Sequence, residues 1–529
     1  MLLLTNARIY TLVPQQPVVE ALLIADDGRI AAVGSPHALR AAFGARIRRT
    51  EDLAGAVVWP GLTDAHFHLR QYAALLAAVD CHTPTRAECL QRVAARARQL
   101  PPGAWLIGHG WDQNRWPEGY GTAAMLDAVA PHHPVFLTAK SLHAAWVNTR
   151  ALERADLSPT AADPPDGHFG RDARGRLNGL LFEGAIALVR RAIPRPTPAE
   201  VAAQIRAALP RLWALGLTGV HNFDRGLSFD ALQRLRAANA LGLRVAQYLP
   251  WDADAAIAAL RWRAPGPDPW LWPVGLKGFA DGALGPRTAA MLEPYADTSA
   301  RGTLLLTAEQ VAAKAEAVRP WGWSLAVHAI GDAANRAVLR GLARARAREA
   351  ATAPFPRPRH RVEHAQRVAP EDLPWFGRLG LVASMQPVHM LSDRAMAQRA
   401  WGARCATAYA WQALRSQGAV LAFGSDAPVE PPDPWLGLFA AVTRRPPRAR
   451  EAAAWFPEQR LDLRAALAAY TTGPAYAAFR ERALGRLAPG FWADLVVLPH
   501  DPFALPPEAL LETRPLAVMV GGVWRWQRA

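Results

Sequence analysis

Two histidines two residues apart carry the first chemical signal in this chain. The run Val57-Val58-Trp59-Pro60-Gly61-Leu62-Thr63-Asp64-Ala65-His66-Phe67-His68 reads as an apolar strand that ends in His66 and His68. Side chains alternate faces along a strand, so both imidazoles point the same way. Two neutral imidazoles on one face are a ready site for a divalent metal. A His-x-His pair is common by itself. It gains weight here because Lys277, His328, His364 and Asp426 each lie at or just past the end of another apolar, strand-like run. A bound metal lowers the pKa of water from 15.7 towards about 7. A carboxylate such as Asp426 beside that water can take its proton and later deliver it to a leaving nitrogen. Taken singly, each residue has a plainer role open to it: a satisfied core histidine for any one imidazole, a buried lysine paired with an acid such as Asp281 for Lys277, and a turn or helix N-cap for Gly424-Ser425-Asp426.

The elements that must position these groups alternate between strand and helix. Strand-like runs fall at Val57–Asp64, Leu217–His221, Leu243–Leu249, Val274–Ala280, Ser324–Ala329, Arg361–Glu363, Leu381–Gln386 and Val420–Gly424. Helical patterns fall between them, for example at Pro198–Leu215, Leu227–Leu241 and Ala308–Val318. If residues 72–190 are an insertion, the count is eight, and the expected fold is α/β, a closed (β/α)8 TIM barrel. Reacting groups in such barrels cluster at the C-terminal strand ends, where all six residues fall. The insertion carries strand-like pieces at Trp105–Gly108 and Val135–Thr138 and a loop-like stretch rich in Gly, Pro and Asp around 163–179. Short strands at residues 2–12 and 21–34 match others at Ala493–Leu498, Leu516–Val520 and Val523–Trp526. Neither end can bury both faces of a sheet alone, so one small β-sandwich built from both termini is expected. The expected domains are therefore 1–56 with 485–529 (sandwich), 57–71 with 191–484 (barrel) and 72–190 (inserted cap).

Composition narrows the function classes. The 529 residues are 51% hydrophobic, which allows a large core and argues against global disorder. The formal charge of +15 is almost all arginine, scattered through Ala/Arg/Leu-rich helices; there are three lysines, Lys140, Lys277 and Lys314. With no recognition motif beside the charge, nucleic acid is not an expected partner. Apolar runs are short and the first residues lack a signal peptide's features, so a cytoplasmic protein without a membrane span is expected. Cys81, Cys89 and Cys405 are odd in number and fit no metal spacing, so no disulfide framework is expected. Phosphate-binding glycine loops and a serine nucleophile elbow are absent.

Several runs together resemble the amidohydrolase superfamily of metal-dependent hydrolases, within it the amidohydrolase-3 branch that includes N-substituted formamide deformylase. They are Pro60–His68, Leu276-Lys277-Gly278-Phe279-Ala280-Asp281-Gly282-Ala283-Leu284-Gly285, Val327-His328-Ala329-Ile330-Gly331-Asp332, Val362-Glu363-His364-Ala365-Gln366, Ser384-Met385-Gln386-Pro387 and Phe423-Gly424-Ser425-Asp426-Ala427-Pro428-Val429. Gly110-Trp111-Asp112 and His143-Ala144-Ala145-Trp146-Val147-Asn148 extend the resemblance into the insertion.

The resemblance implies a metal site of one or two divalent ions, zinc above all, held by His66, His68, Lys277, His328, His364 and Asp426. It implies that Lys277 acts as a carbamate: a desolvated amine is more easily neutral and can capture CO2, giving an anion with two oxygens that can bridge metals. Asp426 is then the catalytic acid–base. The implied activity is hydrolysis of a C–N bond in a small amide, N-substituted formamide or cyclic amide. A deaminase or cyclic-imide hydrolase on the same scaffold is the alternative, as is a non-catalytic scaffold protein, although a degenerate relative would be expected to lack a ligand. Candidate substrate contacts are His143, Trp111, Asp112, His221, Arg287, Asp332 and Gln386. The inserted cap is expected to set substrate choice. A homodimer is open, since barrels of this kind often pair.

Overall fold

The computed structural model describes residues 1–141, 143–260, 263–349, 357–449 and 451–528. The chain divides into two compact units, one formed by Met1–Gln71 with Ile205–Ala529 and one by Tyr72–Gln204.

The first unit contains an eight-stranded sheet with neighbours in chain order. Its strands are β1 (Leu62–Phe67), β2 (Leu217–Asn222), β3 (Arg244–Pro250), β4 (Leu271–Phe279), β5 (Ser324–Ala329), β6 (Arg361–His364), β7 (Val382–Met385) and β8 (Val420–Phe423). Every neighbouring pair is parallel, as crossover helices require. β8 and β1 meet through a parallel bridge between Phe67 and Ala427, with Asp426 N–H donating to His66 O (2.8 Å) and His68 N–H to Ala427 O (2.9 Å). The sheet thus comes round on itself as an α/β barrel. β2, β5 and β7 are buried almost throughout, as expected for strands covered on both faces.

The expected strand Val57–Asp64 is two strands. Val57–Pro60 pairs with Arg8–Tyr10 and Leu495–Leu498, and the chain enters the barrel only after Gly61. The crossing is tight: a Cβ on Gly61 would lie 2.3 Å from Thr218 Oγ1. A side chain there would push β1 away from β2.

Val57–Pro60 joins a six-stranded sheet from both termini, in the order Val523–Gln527, Ala517–Val520, Leu495–Leu498, Val57–Pro60, Arg8–Tyr10, Val18–Val19. A four-stranded sheet of Ile30–Gly34, Ala21–Ile24, Leu2–Thr5 and Arg49–Asp52 shares its core. Leu4, Leu22 and Ile24 from the smaller sheet pack with Ile9, Val58, Leu495 and Met519 from the larger. The two sheets form the β-sandwich that neither terminus could bury alone.

The second unit is a six-stranded sheet ordered Gly167–Arg171, Leu177–Glu183, Ala144–Val147, Val135–Ala139, Leu106–Trp111, Val79–Asp80. Its strand Val135–Ala139 shows period-two alternation: Val135, Leu137 and Ala139 enter one core with Cys89, Val93 and Trp146, and Phe136 enters another with Val147, Leu181 and Val189. The stretch 163–179, read as loop, holds a hairpin that turns through Asp172, whose carboxylate accepts from the backbone of Arg174 and Arg176. Among the described residues no helix is long and apolar enough to cross a membrane.

Candidate metal centre

The barrel brings all six sequence-predicted ligands to the C-terminal ends of its strands. His66 lies near the end of β1 and His68 just past it. Lys277 is on β4, His328 on β5, and His364 closes β6. Asp426 follows β8 by three residues. Together they line a cavity of about 340 Å³ walled on its apolar side by Phe279, Leu284, Ile330 and Met396.

The distances are short. Lys277 Nζ is 3.2 Å from His66 Nε2. Asp426 Oδ1 is 3.1 Å from His68 Nε2 and 3.5 Å from His66 Nε2. The rings of His328 and His364 have centroids 4.6 Å apart, and those of His66 and His364 4.9 Å. His364 (φ 71°) and Asp426 (φ 61°) both adopt left-handed backbone conformations. For a non-glycine residue this costs about 1–3 kcal/mol and persists only where the surroundings over-determine it. At Asp426 the backbone bond to His66 O supplies part of that constraint. The preceding turn is clamped by Asp64, which accepts Ser425 Oγ–H at 2.5 Å and the Ser425 backbone N–H at 3.1 Å. Gly424 permits this approach, since a Cβ there would meet Asp64 Oδ1 at 2.5 Å.

Partners behind the site set which ring nitrogen faces the cavity. Glu363 Oε2 takes His66 Nδ1 at 2.6 Å, leaving Nε2 towards Lys277 and Asp426. Gln386 Oε1 does the same for His364 Nδ1 at 2.8 Å. Such acceptors fix the tautomer and orientation of a metal-ligating histidine. Glu363 is held by the guanidinium of Arg361, which also donates to Ala65 O and to Tyr248 OH; Arg361 and Glu363 are fully buried.

Charge follows the same division. Burial, with the Lys277 ammonium beside it, pulls His66 down to about 3. His328 falls to about 4 for the same two reasons, and burial holds His364 well below the usual histidine range. These imidazoles are therefore neutral, as a ligand must be. Burial opposes ionisation of Asp426, but His66, His68 and His364 around it outweigh burial and hold its carboxyl well below the usual range. Burial pulls Lys277 down to about 8 against the opposing pull of Glu363 and Asp426.

This donor set fits a divalent cation. Donor atoms of His66, His68 and Asp426 lie within 4.8 Å of one another, and so do those of His364, His389 and Asp426. His68 Nδ1 is buried and has no hydrogen-bond partner.

Of the candidate substrate contacts, Gln386, His221, Arg287 and Asp332 belong to the first unit and the other three to the second. Gln386 orients His364. His221 is buried and accepts from Arg361 at 2.7 Å. Arg287 is paired with Asp297 at 2.5 Å, and Asp332 with Arg367 at 2.8 Å. Trp111, Asp112 and His143 belong to the second unit: the Trp111 indole is buried and donates to Leu137 O, Asp112 accepts from Asn114 N–H, and exposed His143 meets Glu183 at 3.0 Å. Asp281, a candidate partner for Lys277, instead accepts backbone N–H groups of Ala290, Ile330 and Gly331, and burial raises it to about 7.

Sequence reasoning missed Arg361, Glu363 and His389. The first two sit two apart on a strand and so share a face with one charge of each sign. His389 and Asp393 lie one helical turn apart directly after Gln386-Pro387. Both spacings were available as signals.

Residues 49–524 match the Amidohydrolase family, and the chain belongs to that family of metal-dependent hydrolases. It is similar to the putative amidohydrolase YtcJ of Bacillus subtilis (strain 168), with 34% identity over 514 residues and 95% of each chain covered. It is also similar to the N-substituted formamide deformylase of Arthrobacter pascens, with 27% identity over 100% of this chain and 98% of the relative. The crystal structure of an uncharacterized metal-dependent hydrolase from Pyrococcus furiosus shares the fold at a TM-score of 0.78 and 30% identity, covering 95% of this chain and 99% of that one.

Proposed function

We propose that this protein uses one or two divalent ions, zinc in particular, to hydrolyse the C–N bond of a small amide, N-substituted formamide or cyclic amide. The observation that carries the reading is the convergence of four histidines, Lys277 and an ionised Asp426 on one small cavity. The whole-length similarity to a formamide deformylase supports the choice of bond. Imidazole nitrogens and a carboxylate suit zinc.

His66, His68, His328, His364 and Asp426 would hold the metal, which when bound lowers the pKa of water and polarises the substrate carbonyl. Glu363 and Gln386 keep His66 and His364 in their ligating tautomers. Asp426 takes a proton from the attacking water as its oxygen bonds to the carbonyl carbon. Asp426 then returns that proton to the nitrogen as the C–N bond breaks, leaving a carboxylic acid and an amine. The apolar wall of Phe279, Leu284 and Ile330 limits bulk water around these groups.

Lys277 would join the ligand set as a carbamate. Its free amine adds through the nitrogen lone pair to the carbon of CO2 as one C=O π bond opens onto oxygen, and the nitrogen gives a proton to solvent water, leaving an anionic carbamate. The Lys277 ammonium rests over the rings of Phe223 and Phe279, with Nζ 4.6 and 5.0 Å from their centroids, and burial favours its neutral amine against the pull of Glu363 and Asp426. Lys277→Ala is expected to lower metal per chain and activity together, and short carboxylic acids to restore part of both. A high-resolution map with a bare ammonium beside a fully occupied pair of metal sites would contradict the carbamate.

The function is tested by elemental analysis of protein produced with zinc and manganese supplied, together with a screen of N-formyl amines, N-acyl amino acids, cyclic amides and amino-heterocycles. One or two ions per chain and turnover of an amide or formamide are expected. Metal-free protein would overturn the metal site. Turnover confined to amino-heterocycles would replace the amide reading with a deaminase.

A further inference from the structure

His389 lies on the helix Pro387–Trp401 and reaches the same cavity as the ligands. Its side chain is only 9% exposed, and its ring stacks on His364 with centroids 6.0 Å apart and planes inclined by 10°. Nε2 is 3.9 Å from Asp426 Oδ2 and is buried without a hydrogen-bond partner.

The other ring nitrogen decides what Nε2 carries. Nδ1 of His389 faces Nε2 of Gln366 at 3.4 Å. That same amide nitrogen is 3.3 Å from Oδ2 of Asp393, which also accepts the hydroxyl of Tyr409 at 2.7 Å. A carboxylate accepts, so the amide must turn its NH2 towards Asp393, and its two protons serve Asp393 and His389 Nδ1. An imidazole whose Nδ1 accepts carries its proton on Nε2. Nε2 therefore has no lone pair for a metal, although distance alone would group it with His364 and Asp426. It is a buried N–H donor beside the acid–base carboxylate with no hydrogen-bond acceptor among the described residues. Buried donors of this kind are rare and call for a partner.

We propose that His389 donates its Nε2–H to the acyl oxygen of the bound substrate, the oxygen on which negative charge develops as water attacks. The proposal rests on the reading of the site as an amide hydrolase. His389 would be a catalytic residue in direct contact with substrate, and Gln366, Asp393 and Tyr409 would be positioning residues that set its tautomer. A preorganised donor aimed where charge develops acts mainly on the transition state, so its loss should appear in kcat rather than KM.

The test compares wild type, His389→Leu and His389→Gln, all loaded with cobalt(II). Metal per chain, the visible cobalt spectrum and the affinity for acetohydroxamate, which presents an acyl oxygen, are measured first, followed by kcat and KM on an amide from the panel. Cobalt content and spectrum should match wild type in both variants. Acetohydroxamate should bind at least tenfold more weakly to His389→Leu, and kcat should fall about 10²–10³-fold with KM little changed. His389→Gln, whose amide can place an N–H near the lost Nε2, should recover part of both. Loss of cobalt or an altered spectrum in a variant with wild-type circular dichroism would make His389 a ligand and overturn the proposal. Unchanged binding and kcat would make it a packing residue, and glutamine no better than leucine would remove the donor role. Failure of the underlying reading looks different: wild-type protein would hold cobalt and turn over no amide.

Discussion

Asp426→Asn is expected to remove at least 10²–10⁴-fold of turnover, the usual worth of general acid–base assistance, while most of the metal stays bound. Asparagine keeps the shape of the side chain and tolerates the left-handed backbone at this position (φ 61°). What it lacks is the basic oxygen that receives the proton of the attacking water. The histidines and Lys277 remain, so metal per chain should fall far less than kcat. Steady-state kinetics beside elemental analysis of the same preparation checks both halves. Near-wild-type turnover would pass the role to another acid. Two acids that follow β4 and β5 are otherwise engaged: Asp281 by three backbone N–H groups and Asp332 by Arg367.

Glu363→Gln should destabilise the fold by about 3–5 kcal/mol, the range seen when one member of a buried ion pair is removed. Arg361 and Glu363 both show no exposure to solvent, so the guanidinium left behind cannot be rehydrated. Arg361 also reaches Ala65 O on β1, His221 on β2 and Tyr248 on β3, so its displacement would be felt across the barrel interior. The same change removes the anionic acceptor behind His66 Nδ1. Loss of such support typically costs about 10–100-fold in metal affinity. The denaturant midpoint at unchanged slope measures the first effect, and competition with a chelator measures the second. A variant that keeps both would show that the pair is neutral to the fold and that His66 orients itself.

Much of this site is readable from local pattern. Strand ends are marked by apolar runs, and the barrel rule places His66, Lys277, His328 and His364 on one rim before any contact is known. The barrel strands accordingly fall near their expected bounds, with Ser324–Ala329 matching at both ends. What escapes is whatever depends on distant partners. The break at Gly61 exists because Val57–Pro60 finds Leu495–Leu498 and because Thr218 leaves no room for a side chain. The hairpin of Gly167–Arg171 and Leu177–Glu183 is hidden by glycine, proline and aspartate, which usually mark loops. Glu363 reads as an ordinary strand residue until the fold places it against His66. The left-handed backbone of His364 and Asp426 is only weakly signalled in the sequence, since neither is glycine.

The seam between β1 and β8 also bears on how the chain reaches this structure. Asp64 and Ser425, which clamp the seam, are separated by 361 positions. Most other barrel contacts join neighbouring strands and can form as the chain folds back on itself step by step. Bringing ends so far apart together costs about 5 kcal/mol more in loop entropy than joining adjacent residues, by logarithmic scaling with length. Partial assembly of the intervening strands shortens the effective loop, so the seam is expected to form late. His66, His68 and Asp426 flank it, so a cation that binds all three favours the closed ring over the open one. The metal site would then also act as a clasp, and the ion that serves the chemistry would help to complete the barrel.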